Sequence, residues 1–389
     1  MTQSRLCQNF SSLRQQQGPH KQEKCGCCQL VTKNDPSQSQ KNAMSLEEKI
    51  YFTERKKDLE VLKEFKPESL SRSGLDAAFR AHMFGWMIRV HLYINIPTEI
   101  LHLATTYVDR YIWRTRTGPG ECHLLAAAAL WVAVKTSTSQ MRIKAEFLCD
   151  LSKNSYTKEQ LLFMEQNLLT ILDFDVICPT PYTYLGIFLK ICNDIPPYCT
   201  RLVNSACSYI LDLGLTEYEL TRFPAFLRCS AAIYLVRCIL RVNGGILHGA
   251  SVSLFKENIH EFSLLPLWPK ELETLTGYSE ESSLPSVAFI YGTLVQKAKE
   301  FVIPNAKYPT QLLVMLDINT RMNLISCTNL TLPFLHKILL QIPPIFEKYT
   351  ARDNNQIAIH PIMINFNLKI IFEDLLQRNN QPICGGKRR

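Results

Sequence analysis

The sequence predicts an all-α protein of two tandem five-helix sets, with an N-terminal helix before them and a C-terminal extension after. Three observations carry this. From Ser45 onward, apolar residues recur at steps of three and four, the spacing that puts them on one face of a helix. Almost nothing alternates with period two, as a half-buried strand would. Two segments, Leu124 to Val134 and Phe226 to Leu240, are small and apolar all round, as a helix wrapped by others must be. They lie about 100 residues apart, which reads as an internal structural repeat.

Residues 1–44 are rich in Gln, Ser, Asn and Lys and read as a disordered tail. Cys25, Cys27 and Cys28, with Cys7 further back, do not make a zinc signature, because no second ligand pair follows. Ser45-Leu46-Glu47-Glu48 is a capping-box pattern that starts a helix running through Lys66. That helix is highly charged, and its thin stripe of Ile50, Leu59, Leu62 and Phe65 predicts packing on the outside of the body.

The first set then follows. Leu75 to Tyr93 carries Phe79, Met83, Trp86, Met87 and Val90 on one side, and Thr98 to Trp113 carries Leu101, Ala104, Tyr107, Val108 and Ile112. Leu124 to Val134 is the central helix, and Ile143 to Leu151 and Lys158 to Leu172 complete the set. Pro179 and Pro181 break the pattern. The second set comprises Pro181 to Ile191, Thr200 to Leu213, Pro224 to Leu240, Pro269 to Thr276 and Ser279 to Lys299. The domains are therefore 1–44 (tail), 45–178 (N-terminal helix and first set), 179–309 (second set) and 310–389 (extension). Apolar runs in the extension, Thr331 to Leu335 and Ile362 to Leu376, predict packing against the second set.

Composition narrows the function classes. Of 389 residues, 46% are hydrophobic and 20% charged, which are globular values. The longest uncharged apolar run, Leu124 to Val134, falls short of the roughly 20 residues of a membrane span. No apolar signal core opens the chain, so secretion is not expected. Cys149, Cys207, Cys229 and Cys238 fall inside apolar helical patterns and read as small buried hydrophobes in a reducing compartment, nuclear or cytoplasmic. The net charge of +8 is spread along the chain and does not require nucleic acid. Arg55-Lys56-Lys57 and Lys387-Arg388-Arg389 read as nuclear-import clusters or solvated faces. With no glycine-rich phosphate loop, nucleophile elbow or HExxH, the chain is expected to be no enzyme and to hold no cofactor or metal.

One carboxylate sits where a helix should be apolar. Glu165 shares its stripe with Leu161, Leu168 and Leu172, widened by Leu162 and Leu169. A charge among buried leucines costs several kcal/mol unless it is paired. Either Glu165 lies at the stripe's edge and reaches water, or it meets a cation or backbone amides, from this chain or another protein.

Several spaced motifs are similar to those of the cyclins, most like the mitotic A/B-type branch, across roughly residues 45–310. Phe79-Arg80-Ala81-His82-Met83-Phe84-Gly85-Trp86 resembles the family's Met-Arg-Ala-Ile-Leu-x-Asp-Trp. Leu103-Ala104 followed by Tyr107-Val108-Asp109-Arg110-Tyr111 resembles its Leu-Ala-x-x-x-x-Asp-Arg-Phe/Tyr. Tyr156-Thr157, Met164-Glu165, Leu172-Asp173-Phe174 and Pro179-Thr180 resemble the end of the first cyclin box. Leu267-Trp268-Pro269-x-x-Leu272 leading to Thr276-Gly277-Tyr278 resembles a late mitotic signature. The resemblance implies two tandem five-helix cyclin boxes and a cyclin-dependent kinase catalytic subunit as partner.

It also implies residue roles. Lys135 and Glu165 match the pair that grips the kinase's regulatory helix, and Lys135 alone would also complement a helix C-terminus. Arg80 and Asp109 match an internal ion pair that locks two helices. Phe79, His82, Met83 and Trp86, flanked by His123, match the substrate-docking patch. The departures have consequences. Thr136-Ser137-Thr138 replaces an aromatic and two acids after Lys135, so kinase contacts there are expected to be altered. His82 puts a titratable ring where the patch has Ile, so docking of Arg-x-Leu substrates or inhibitors is expected to weaken. Arg72-Ser73-Gly74-Leu75 minimally matches a destruction box, and Lys256-Glu257-Asn258 matches another degron. The expected function is that of an activating regulatory subunit of a cyclin-dependent kinase that controls cell-cycle progression and helps select substrates. The alternative is a degenerate scaffold or transcription-type adaptor on the same fold, which binds proteins without activating a kinase.

Overall fold

The computed structural model describes residues 44–137, 143–192, 194–246, 266–299 and 344–373, and the regular structure among them is helical. Helix α1 (Leu46–Leu62) begins at the capping box: Ser45 Oγ accepts from the Glu48 amide at 3.2 Å, and Glu48 Oε2 accepts from the Ser45 amide at 2.7 Å. A single turn, α2 (Ser69–Arg72), leads to the first set: α3 (Ala77–Ile94), α4 (Thr98–Arg114), α5 (Cys122–Thr136), α6 (Ala145–Leu151) and α7 (Lys158–Ile171). The second set is α8 (Pro181–Ile191), α9 (Thr200–Gly214), α10 (Ala225–Ile246), α11 (Lys270–Thr276) and α12 (Leu284–Lys299). The extension contributes α13 (Pro344–Thr350), α14 (Pro361–Ile364) and α15 (Leu368–Ile371).

Each set is organised around its third helix. From Leu125 to Val134 no residue of α5 is more than 8% exposed, and Cys229 to Leu240 of α10 is buried throughout. Alanines at 126–129 and at 231–232 remove side-chain bulk, so α4 and α7 close on α5, and α9 and α12 on α10. Dispersion across such close contacts, with the apolar area removed from water, carries most of each core's stability. The eight cysteines of the described residues are free and buried within this apolar interior.

The two flanking pieces differ from expectation. The buried residues of α1 are Tyr51, Arg55 and Asp58, while Ile50 of the expected apolar stripe is 41% exposed. The reason lies in what α1 meets. Tyr51 packs edge-on or tilted against Tyr184, Phe188 and Phe226, at ring-centroid distances of 6.0, 5.6 and 6.2 Å. Asp58 accepts from the Phe226 amide at 3.0 Å, at the N-terminal end of α10, where the helix leaves its amides unpaired. A segment contiguous with the first set thus lies against the second. Just beyond α1, Glu64 turns to the first set and takes hydrogen bonds from Arg110 and Arg114.

The described part of the extension, expected against the second set, touches both. Lys348 donates to Thr98 of α4 and to Asp212 of α9, each at 2.8 Å. Leu368 and Phe372 close over α12 at Gly292, where a Cβ would lie 2.6 Å from Leu368 Cδ1. Thr331 to Leu335, the Cys7 and Cys25–Cys28 group, Lys256-Glu257-Asn258 and Lys387-Arg388-Arg389 lie outside the described residues.

Candidate partner-docking site

Lys135 sits in the last turn of α5 and Glu165 in the middle of α7, two helices packed side by side. The Lys135 ammonium donates to Glu165 Oε1 and stands 3.6 Å from the centre of the Trp131 ring. The Glu165 side chain is 14% exposed and that of Lys135 43%. Of the two readings of Glu165, the structure gives the cation, and this chain supplies it. Leu161, Leu168 and Leu172 form the expected buried stripe, but Leu162 leaves it and is 38% exposed. Helical phase explains this: Leu162 stands 100° from Leu161, past the edge of what α5 covers.

An apolar rim accompanies the pair. On the segment between the boxes, Phe174 and Ile177 are 69% and 74% exposed. The Tyr107 hydroxyl binds the Val176 carbonyl and Thr136 Oγ1, so this segment lies beside the end of α5 that carries Lys135. Its shape is fixed. Asp173 and Phe174 have φ of 53° and 56°, uncommon for residues other than glycine. Arg114 holds the Asp173 carboxylate at 2.7 Å, and Arg110 holds the Asp175 carbonyl and carboxylate at 2.6 and 3.0 Å. Phe174 is thereby presented to solvent between two anchored acids. Sequence reading missed Phe174 and Ile177 as site residues; the only signal was a large apolar residue in the short acidic turn Asp173-Phe174-Asp175.

The polar residues after Lys135 serve the helix end. Thr136 Oγ1 donates to Val132 O at 3.0 Å and Ser137 Oγ to Val134 O at 2.8 Å, and Thr138 lies outside the described residues.

Arg80 and Asp109 meet in a buried bidentate pair, with Arg80 Nε and Nη2 each 2.7 Å from the carboxylate. Arg80 Nη1 also donates to Leu215 O at 3.0 Å, so the pair ties α3 and α4 to the second set as well. On the outer side of α3, Phe79 and His82 are exposed and Trp86 is half-buried. His123 packs edge-on against Trp86 with ring centroids 4.3 Å apart, and burial lowers its pKa below the usual imidazole value. Met83 is not part of that surface. It is 6% exposed and belongs to the core beneath, because the step from Phe79 to Met83 turns inward with Met87 and Val90. The Arg72 to Leu75 motif is also folded in: Arg72 donates to Trp113 O and Thr115 O, and Ser73 and Leu75 are buried. Among the described residues, no group of three or more His, Cys, Asp or Glu is placed to hold a metal ion, and no helix is long and apolar enough to cross a membrane.

Two family models match in tandem: Cyclin, N-terminal domain, over residues 49–177, and Cyclin, C-terminal domain, over residues 179–311. Relatives include putative cyclin-B3-1 of Arabidopsis thaliana, 33% identical over 164 residues (42% of this chain and 40% of the relative). Cyclin-B2-2 of Oryza sativa subsp. indica is 27% identical over 214 residues, 54% of this chain and 44% of the relative. G2/mitotic-specific cyclin-2 of Medicago sativa is 26% identical over 218 residues, 56% of this chain and 58% of the relative. The chain thus spans about half the length of the curated relatives it matches. A viral cyclin from herpesvirus saimiri aligns with a TM-score of 0.45 at 15% identity, covering 57% of this chain and 86% of that one.

Proposed function

The chain belongs to the cyclin family, similar to B- and A-type members, and from that premise we propose that it is a regulatory subunit of a cyclin-dependent kinase. The observation that carries the proposal is the Lys135–Glu165 pair with its apolar rim. The pair joins two helices but is left part-exposed, and both groups keep hydrogen-bonding capacity for backbone groups of a docked helix. Charge-assisted bonds strengthen as water is excluded. Phe174 and Ile177 would exclude it, since large apolar side chains at a rim gain by being covered.

The chemistry in such a complex belongs to the kinase. The subunit's work is to hold the kinase's regulatory helix where its Glu pairs with the phosphate-gripping Lys. It does so by binding the active arrangement more tightly than the inactive one, which shifts the population between them. Arg80, Asp109 and the contacts between the boxes keep the docking face rigid, so little ordering cost falls on binding. A second reading, a scaffold that binds a kinase or other protein without activating it, is favoured by the missing acids after Lys135. Co-purifying the tagged chain, identifying any kinase and assaying phosphorylation of a histone-like peptide separates the two. A bound and stimulated kinase supports the activating reading, a bound but idle one supports the scaffold, and no bound kinase removes the activating reading and leaves a scaffold for other proteins.

A further inference from the structure

Arg228 lies in the first turn of α10, part-buried where that helix approaches α1 and α4. It lines two polar recesses between the sets, of about 30 and 20 Å³. Asp58 of α1, Thr106 and Asp109 of α4, and Thr221 share the first recess with it, and Arg80, His102 and Tyr291 share the second. Arg228 forms no ion pair with any described residue, and its Nε is buried without a hydrogen-bond partner. A guanidinium drawn from bulk water in this way is costly unless something accepts its hydrogens.

The carboxylates around it are committed, with one exception. Both oxygens of Asp109 are held by Arg80, and Asp212 beyond His102 is held by Lys348. Burial lowers the His102 pKa, so that ring adds no charge near neutral pH. The exception is Asp58. It accepts from the Phe226 amide and forms no ion pair with a described residue. Burial raises its pKa to about 6, with the Ala225 amide and then Arg228 pulling the other way. Asp58 and Arg228 therefore feel each other across the first recess without an ion pair. The other titratable groups about Asp58 are Tyr51, Tyr184 and Cys178, whose pKa values burial raises, so all three stay protonated. Glu54 on the same helix pairs with Lys57, and Arg55 lies over the Phe226 ring.

We propose that the first recess is a water-binding site, in which one or two molecules bridge Arg228 to Asp58 and so tie α1 to α10 by a solvent-separated pair. The size agrees, since a bound water needs roughly 10–15 Å³. So does the chemistry. Thr106 Oγ1 donates to His102 O at 2.9 Å and Thr221 Oγ1 to Tyr218 O at 2.7 Å, so each hydroxyl has committed its hydrogen and offers only lone pairs. With Asp58 they form a set of acceptors, and Arg228 is the donor among them. Water donates to the first and accepts from the second. A small anion would meet three acceptors, and a metal ion would meet a guanidinium. Water bridges of this kind are enthalpically close to direct hydrogen bonds. Arg228 is thereby a positioning residue: through water it holds the Asp58 carboxyl where that group caps the start of α10. The joint belongs to the chain alone and is independent of any kinase contact.

Two measurements on the purified full chain test this. The first is a crystal structure at a resolution that shows ordered water, with a second crystal soaked in bromide. Water within hydrogen-bond reach of both Arg228 and Asp58 is the expected result. A direct Arg228–Asp58 contact, a recess without ordered water, or an anomalous bromide peak beside Arg228 would each overturn the proposal. The second is a carboxyl-carbon NMR titration of Asp58 in the parent, Arg228→Met and Arg228→Lys, with thermal melting to confirm that the variants fold. Asp58 should bind its proton about tenfold more tightly in Arg228→Met, because the cation opposite is gone, and close to the parent in Arg228→Lys. An Asp58 titration unmoved by Arg228→Met would show that the two groups are not coupled and would overturn the bridge. Should Arg228→Met fail to fold, the parent crystals decide alone.

Discussion

Arg80 shows how a single charge in an apolar helix can be read in two steps. Its position between Phe79 and Met83 made it legible as structural, since such a charge demands a partner, and Asp109 stood in a similar setting on the next helix. That Arg80 would also bind Leu215 O was not legible, because a carbonyl 135 residues away has no side-chain signature. Arg80→Met or Asp109→Leu should each cost about 3–5 kcal/mol by stranding the partner, and the double variant should recover part of that. Urea unfolding of the three variants checks this, and single variants as stable as the parent would remove the pair from the fold's support. Asp58 behaves differently. Burial outweighs the amides of Ala225 and Phe226 and the nearby Arg228, and it raises the Asp58 pKa to about 6. An acid whose pKa is raised by folding contributes stability below its unfolded value, near pH 4, and loses it as pH rises through the folded one. Asp58→Asn keeps an acceptor for the Phe226 amide and has no charge to bury. It should therefore match the parent near pH 4 and exceed it near pH 8, by up to about 3 kcal/mol. Melting temperatures across that range decide it, and a variant less stable than the parent at pH 8 would show that the ionised form is the favoured one.

Among elements, the ten helices of the two sets were legible because each buries an apolar face whose period survives in the sequence. Of the flanking pieces, the start of α1 and the apolar packing of the extension from Ile362 were legible, but the polar contacts that latch them were not. The Tyr51, Arg55 and Asp58 face of α1 carries no apolar stripe, and Lys348 sits in the polar stretch Glu347-Lys348-Tyr349-Thr350 of the extension. Yet Lys348 reaches the most buried carboxylate cluster among the described residues. Asp212 accepts from Lys348 at 2.8 Å and from Tyr349 at 2.9 Å, and its other oxygen lies 2.8 Å from His102 Nε2. Burial alone would raise the Asp212 pKa, but the Lys348 ammonium and the His102 bond hold it well below the carboxylate range. Burial pushes the His102 pKa down, so Lys348 supplies the compensating charge. Lys348→Met should lower stability at neutral pH by about 3–5 kcal/mol, because Asp212 is left charged and dry. A depressed carboxylate contributes above its unfolded pKa and loses that contribution as pH falls, so the gap between variant and parent should close in acid. Denaturation at pH 7 and pH 4 tests both statements, and a Lys348→Met variant as stable as the parent would detach the extension from the fold's energetics.

Two apolar bundles are latched by polar contacts at Arg80–Asp109–Leu215, Asp58–Phe226 and Lys348–Asp212, and among the described residues Phe174 and Ile177 of the first bundle stay exposed. The stripe around Glu165 pointed to this face from sequence. Phe174 and Ile177 escaped notice because their exposure follows from a left-handed turn that no residue type announced. The central claim is that Lys135 and Glu165 serve a partner more than the fold. Lys135 is part-exposed, so the pair by itself is worth about 1 kcal/mol or less to stability. The decisive measurement is a titration of the co-purifying kinase with the parent chain, Lys135→Ala and Glu165→Ala, each accompanied by a thermal melt. Affinity losses of about 2–5 kcal/mol with nearly unchanged melting are expected, as for truncation of a desolvated charge contact. Variants that bind the kinase as tightly as the parent, or that unfold, would contradict it.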